Sequence, residues 1–380
     1  MSTSHHGQPA AYLDHAATTP MRAEAVAAML PFLTERFGNP SGSHSVSRSA
    51  RLALDEARDE VAAALGAQPG QVVFTAGGTE ADNLAIGGVL AARGGEAVCP
   101  AAEHHGVLHA VAAAGGRVVP VTADATVDLD ALAGAIGPGT SLVSVMLVNN
   151  EVGTVTDLAE VVALVRERAP AALVHTDAVQ AFPWLDVAGL AAGADLVAVS
   201  AHKFGGPKGV GALVVRDRVE LRPILHGGGQ ERDRRSGTHN VAGIVAMAAA
   251  ARATVATREA TVARVAALRD RLADGLLGAV SGAVETGSRA AKIAGNCHLR
   301  FPGVESEALL VMLDDAGVCA SAGSACASGA IEPSHVLVAM GLPAAEASAS
   351  VRLSLGYPTT AGDVEHALAV VPKAVARLRD

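Results

Sequence analysis

From about residue 70 to 215 the chain alternates short apolar β-rich runs with helix-like stretches, and this alternation narrows its fold more than any other feature. Gln71–Thr75 reads as a strand, Gly77 and Gly78 break it, and Thr79–Leu90 reads as a helix. Ser141–Val148 is a continuous β-rich run. Thr156 or Asp157 then caps a helix with apolar positions at Leu158, Val161, Val162 and Val165, stopped near Pro170. Leu173–Thr176 and Asp195–Ser200 are further strands. Continuous apolar strands separated by helices predict a mostly parallel sheet covered on both faces. Ligands of such sheets sit beyond the carboxyl ends of the strands. From about residue 257 the pattern changes to a long Arg/Ala/Leu helix, then strands and helices of different spacing, which predicts a second, smaller α/β domain.

Composition removes several classes of function. Aromatic residues are 2% of the 380 and the formal charge is −9, so base-stacking surfaces and basic patches for nucleic acid are not expected. The longest apolar stretch, Val241–Ala251, is too short to cross a bilayer, and the polar first ten residues lack a signal-peptide core. Four cysteines, in no CxxC or zinc-ligand spacing, predict neither a disulfide framework nor a metal site. The expectation is a soluble, cytoplasmic protein. Of the 29 basic residues only Lys203, Lys208, Lys292 and Lys373 are lysine. Arginine neither deprotonates nor forms an imine, whereas lysine does both, which directs attention to the segment holding two of the four.

That segment, Ser200-Ala-His-Lys-Phe-Gly-Gly-Pro-Lys-Gly-Val-Gly211, follows a buried strand and places Lys203 where a carbonyl cofactor can form an imine. Alone, it reads equally well as a glycine-rich surface turn with two solvated lysines. Other polar clusters also follow strands: Glu103-His104, Asn149-Asn150-Glu151 and Asp177. Their shared position predicts one site. Asp177 suits the pyridine nitrogen of pyridoxal phosphate, where a carboxylate keeps the ring protonated as an electron sink, and Gln180 suits the ring hydroxyl. An acid there is also a common helix cap. Gly77-Gly78-Thr79 opens a helix, where backbone N–H groups favour a phosphate, with Ser200, His202 and Thr238 as further donors. His104 is a candidate for ring stacking or proton transfer. Arg352, inside a strand-like run, suits two-point binding of a carboxylate, or else the solvent face of a strand.

The cysteines divide. Cys99, Cys297 and Cys319 lie in apolar strand-like contexts and read as small core residues. Cys326 lies among small residues in Ser321-Ala-Gly-Ser-Ala-Cys-Ala-Ser-Gly329, which predicts an accessible loop suited to a nucleophile.

Together these stretches resemble the cysteine desulfurases, in the class V branch of the aspartate-aminotransferase-like (fold-type I) pyridoxal-phosphate enzymes. The resemblance runs from Tyr12-Leu-Asp-His-Ala-Ala-Thr-Thr-Pro20 through Phe74–Glu80, Glu103–His105, Asn149–Gly153, His175–Gln180 and Ser200–Gly211. It continues through Gly227–Glu231, Arg235–Thr238 and Gly323–Cys326 to Arg352–Gly356. The Gly-Ser-Ala-Cys run is similar to the long-loop group. His15 stands where many relatives have Asn, and Gly106 where Ala or Ser is usual.

The resemblance implies a large domain with a mostly parallel seven-stranded sheet over residues 15–256. It implies a smaller C-terminal α/β domain over 257–380 that carries the cysteine loop, with residues 1–14 packing on it. It implies pyridoxal 5'-phosphate as cofactor, with Lys203 rather than Lys208 as the Schiff-base lysine, His104 as the ring-stacking acid/base, Asp177 at the pyridinium and Gln180 at the ring oxygen. Gly78, Thr79, Ser200 and His202 would hold the phosphate, joined by Thr238 from the second subunit of a homodimer. Asn150 and Arg352 would bind the carboxylate of L-cysteine, and Cys326 would carry the sulfur as a persulfide. The product would be L-alanine, and the sulfur would pass to an acceptor protein, an iron-sulfur scaffold or a tRNA-thiolation protein. Relatives that dock such a scaffold often have a longer tail than the few residues after the last helix here. A selenocysteine lyase or another class V aminotransferase is the alternative, disfavoured because a transaminase needs no loop cysteine.

Overall fold

Runs of valine, leucine and alanine without polar interruption cannot lie on a half-solvated sheet, and the molecule covers them on both faces. The computed structural model describes residues 11–323 and 333–380. Its strands up to residue 215 are β1 (Ala11–Tyr12), β2 (Val72–Thr75), β3 (Glu96–Pro100), β4 (Arg117–Val119), β5 (Thr140–Ser144), β6 (Leu173–Asp177), β7 (Leu196–Ser200) and β8 (Gly211–Val215). β9 (Val284–Glu285), β10 (Asn296–Arg300), β11 (Val318–Cys319) and β12 (Ser350–Ser354) follow. One seven-stranded sheet has the order β2-β8-β7-β6-β5-β3-β4. From β7 to β4 neighbouring strands are parallel, whereas β8 runs against both β7 and β2. This is the mostly parallel seven-stranded sheet expected. A smaller antiparallel sheet, β12-β10-β9, is built from the C-terminal part, and β1 pairs in parallel with β11 there.

Two elements differ from the sequence reading. The β-rich run to Val148 ends as a strand at Ser144. Val145 and Leu147 still donate to the carbonyls of His175 and Asp177, both at 3.0 Å. The N–H of Met146, however, donates to the Glu103 carboxylate at 2.6 Å, so the ladder toward β3 stops. The second element is the long helix, Val241–Ala279, which begins well before residue 257, capped by an Asn240 side chain that accepts from Gly243 N at 3.0 Å. The residue 256/257 boundary therefore falls inside one continuous helix. Its length and apolarity would suit a membrane span, but 61% of its apolar window is buried in this fold. It packs against the Ala23–Leu33 and Ser45–Ala64 helices.

The segment after β8 is held by a buried acid. Glu231 accepts from Arg58 at 2.6 and 2.7 Å, from Phe74 N at 2.9 Å and from His239 Nε2 at 2.7 Å. These contacts keep Glu231, Arg232 and Asp233 in the left-handed region, at φ of 49°, 58° and 61°, which side chains other than glycine rarely adopt. Burial raises the Glu231 pKa, but Arg58 and the other donors outweigh it and bring it from 4.5 to about 2. Because the folded pKa is depressed, this stabilisation is present above pH 4.5 and is lost as pH falls toward about 2. Glu231→Gln leaves Arg58 buried without its counter-charge and is expected to destabilise by about 3–5 kcal/mol at neutral pH. Denaturant titrations across the acid range check this, since the variant should also lose that part of the acid sensitivity.

Candidate active site

The carboxyl ends of β2, β3, β6 and β7 open on one side of the sheet, and the polar residues after them surround one cavity of about 380 Å³. Asp177 is the last residue of β6, and Ser200 the last of β7, followed by the Ala201–Lys203 turn. The Gly78–Arg93 helix starts just after β2, and His104 caps the His105–Ala113 helix after β3 by accepting from Gly106 N at 3.0 Å. Gly78, Thr79, His104, Asp177, Gln180, Ser200, His202 and Lys203 all line the cavity, as do Asn150 and Arg352 from the opposite wall. Ten of the twelve residues singled out from the sequence are thus together. Thr238 is exposed and does not line it, although Arg235, three residues earlier, pairs with Glu80 at 2.7 Å. Cys326 lies outside the described residues.

Each side chain has a definite seat. Lys203 Nζ donates to the carbonyls of Ala16 at 2.5 Å and Ala17 at 2.8 Å. Gln180 Nε2 donates to the same Ala16 oxygen at 2.8 Å, and His202 Nδ1 meets Thr18 Oγ1 at 3.2 Å. Asp177 accepts from Val179 N at 2.8 Å. Arg352 pairs with Asp14 at 3.0 Å and donates to Asn150 O at 2.9 Å, while its Nε is buried with no acceptor among the described residues. Asn150 Oδ1 is likewise buried and unpartnered. Gly78 has no room for a side chain, since a Cβ there would lie 2.8 Å from Val179 Cγ2.

Two acids, Asp82 and Glu103, and one histidine, His175, were given no chemical role from the sequence. The ligand atoms of Asp82, His104 and Asp177 all lie within 4.8 Å of one another. Asp82 Oδ1 is 3.6 Å from His175 Nε2, and His175 Nδ1 meets Ser144 Oγ at 2.8 Å. Burial pushes Asp82, Glu103 and Asp177 upward from the ordinary carboxylate value, and the charge of Asp177 adds to the shift of Asp82 and Glu103. His104 and Lys203 draw Asp177 back down. Burial holds His175 neutral, with its pKa lowered to about 3. It lowers His104 too, partly offset by Asp177. Asp82 was discoverable: it is an acid between Ala81 and Leu84 on the buried face of its helix.

The donor set suits pyridoxal phosphate. A helix N-terminus with Thr79, Ser200 and His202 is chemically matched to a phosphate, Asp177 to a ring nitrogen and Lys203 to an aldehyde. The profile of the Aminotransferase class-V family matches residues 11–367. An IscS-like cysteine desulfurase of Mycobacterium tuberculosis is 46% identical, over 97% of this chain and 97% of its own. The chain belongs to the cysteine desulfurases of this family. Cysteine desulfurase IscS of Methanosarcina thermophila is 42% identical, over 98% of this chain and 93% of its own. A solved NifS-like protein superposes with a TM-score of 0.90 at 32% identity, covering 97% of this chain and 100% of that one.

The buried acids generate a pH prediction. Because the folded pKa of Asp82 is raised, the fold keeps a proton that the unfolded chain releases above 3.8. That stabilising contribution is complete below 3.8 and is lost as pH rises through the folded value. Asp82→Asn has no such proton. Its Tm relative to the wild type, measured without added cofactor, should therefore rise between about pH 4 and about pH 8. A difference that stays flat over that range would contradict a buried acid at this position.

Proposed function

We propose that the chain works as a homodimer in the cytoplasm, removing sulfur from L-cysteine with pyridoxal 5'-phosphate and releasing L-alanine. The sulfur would be kept on Cys326 as a persulfide and passed to an acceptor protein, an iron-sulfur scaffold or a tRNA-thiolation protein. The observation that carries this reading is the meeting of Lys203, Asp177 and His104 in one cavity at the strand ends.

When bound, the cofactor would supply an electron sink for the pair left at Cα once its proton is removed. Lys203 moves that proton, helped by His104, which burial keeps largely neutral and so able to accept one. Asp177 holds a proton on the ring nitrogen. Gly78, Thr79, Ser200 and His202 fix the phosphate end, joined by Thr238 of the second copy. Asn150 and Arg352 would orient the substrate carboxylate from the wall opposite the strand ends. The Cys326 thiolate then attacks the substrate sulfur. An S–S bond forms as the C–S bond breaks, and the carbon skeleton takes up protons to become alanine.

The other cysteines are poor candidates for the sulfur carrier. Cys99 and Cys297 are fully buried, and burial pushes Cys297 up to about 12 and Cys99 higher still. Cys319 is partly exposed but is raised as well, by burial and by the charges of Asp314 and Asp14. A thiolate is scarce at all three.

Purified protein should be yellow, and Lys203→Ala should lose the absorbance of the lysine-bound cofactor while Lys208→Ala keeps it. Equal loss in both variants would reject the assignment. For Cys326→Ser, L-cysteine should still perturb the cofactor spectrum, but alanine release should fall to background because a hydroxyl is a far weaker nucleophile toward sulfur. Mass spectrometry of the wild type after brief exposure to cysteine should place one added sulfur on the Cys326 peptide. Normal turnover in Cys326→Ser, or an added sulfur on another cysteine, would overturn the mechanism.

A further inference from the structure

A second cavity lies on the other side of the wall formed by Ala16, Asn150, Gln180 and Lys203, which line both. It offers about 30 Å³, where one water needs roughly 10–15 Å³. Its lining contains no aspartate or glutamate and three cationic side chains: Arg22, Arg258 and Lys203. The long helix contributes Thr254, Arg258 and Thr261, spaced i, i+4 and i+7 along one face.

The two arginines are built into this wall. Arg22 Nε donates to Phe204 O at 3.1 Å, and its guanidinium lies 4.2 Å from the centre of the Tyr357 ring. Arg258 donates to Phe182 O at 3.3 Å and sits over the Phe182 ring at 5.5 Å. The Phe182 and Phe204 rings are themselves 4.5 Å apart, so each arginine donates to the backbone carbonyl of one member of an aromatic pair. Neither arginine forms an ion pair among the described residues, although a charge taken from water usually acquires one. Arg258 Nε is buried with no acceptor among the described residues. Desolvation pulls both guanidinium groups below their ordinary pKa, outweighing the more distant charges of Glu24 at Arg22 and Asp186 at Arg258. Aromatic faces and carbonyls supply partial negative charge, but not a full one.

We propose that this cavity binds one small monovalent anion of halide size, held by Arg22 and Arg258 with the hydroxyl of Thr261, the Thr254 hydroxyl being spent on Phe204 O at 3.1 Å. The space excludes a phosphate or an amino acid. The anion would join three separate parts of the chain: Arg22 before the first helix, the turn after β7 through Phe204, and the middle of the long helix. Binding to the folded state alone stabilises it in proportion to the logarithm of anion concentration above Kd.

The test uses full-length holoenzyme with bromide as the probe. Crystals soaked in sodium bromide should show an anomalous peak between the guanidinium groups of Arg22 and Arg258. In solution, replacing gluconate, which is too large to enter, by bromide at fixed ionic strength should raise the Tm. Both effects should vanish in R258Q and, independently, in R22Q, so that a folding defect in one variant does not decide the matter. No anomalous peak in this cavity of the wild type would overturn the proposal. So would a Tm that responds equally to bromide and gluconate, or a bromide response that survives in a folded R258Q or R22Q protein.

Discussion

One carbonyl oxygen, that of Ala16, accepts from both Lys203 Nζ and Gln180 Nε2, and the arrangement of the whole site depends on where the backbone puts it. The segment that carries it is tied to both sheets. β1 pairs with β11, Asp14 forms an ion pair with Arg352 of β12, and Ala16 N donates to Ser354 Oγ. On the other side Thr19 N donates to His202 O at 3.2 Å, and Thr18 meets the His202 ring. Residues 11–19 therefore act as a strap between the C-terminal sheet, which carries Arg352, and the end of β7, which carries Lys203. Groups that the chain order separates by well over a hundred residues are held in register by backbone polar groups that cannot remain unpaired when buried.

The strap explains why two walls of the cavity have different chemistry. The large-sheet wall is made of strand ends, where a parallel sheet exposes its terminal polar groups and helix N-termini. The opposite wall is a buried arginine in the middle of a strand, a position that would be costly unless its charge were met. Asp14 and two carbonyls meet it. Arg352 is thus fixed before any carboxylate arrives, and little side-chain freedom remains to be lost on binding.

Much of this was legible in the sequence. Asp177, Ser200 and Lys203 were visible because a polar residue straight after a continuous apolar strand has few structural uses. The long helix was half visible. Its Val241–Ala251 stretch is almost wholly buried and apolar all round, so it carries no 3.6-residue period, and the helical pattern emerges only where one face meets solvent. The end of β5 was not legible, since Val145 to Val148 continue the apolar pattern. What stops the strand is a carboxylate 43 residues away in sequence, taking the N–H of Met146. His175 and Ser144 were hidden for the related reason that single polar residues inside strands show nothing of their partner until the strands are paired.

The buried acids bring these strands to a single electrostatic result. Asp82, Glu103 and Asp177 are each penalised by burial, and Asp82 and Glu103 also by the charge of Asp177, so three full negative charges are disfavoured at one cavity. Their surroundings differ in kind. Glu103 is relieved by a single backbone N–H, and Asp82 has the neutral His175 at 3.6 Å and shares His104 with Asp177. Asp177 alone among them faces two groups that carry or can take a positive charge, His104 and Lys203, and also receives an N–H from Val179. The charge the site retains therefore concentrates on Asp177, and the other two acids remain available as neutral donors. A proton taken up by the cavity lowers the cost of ionising its neighbours, so protonation of these groups is coupled rather than independent.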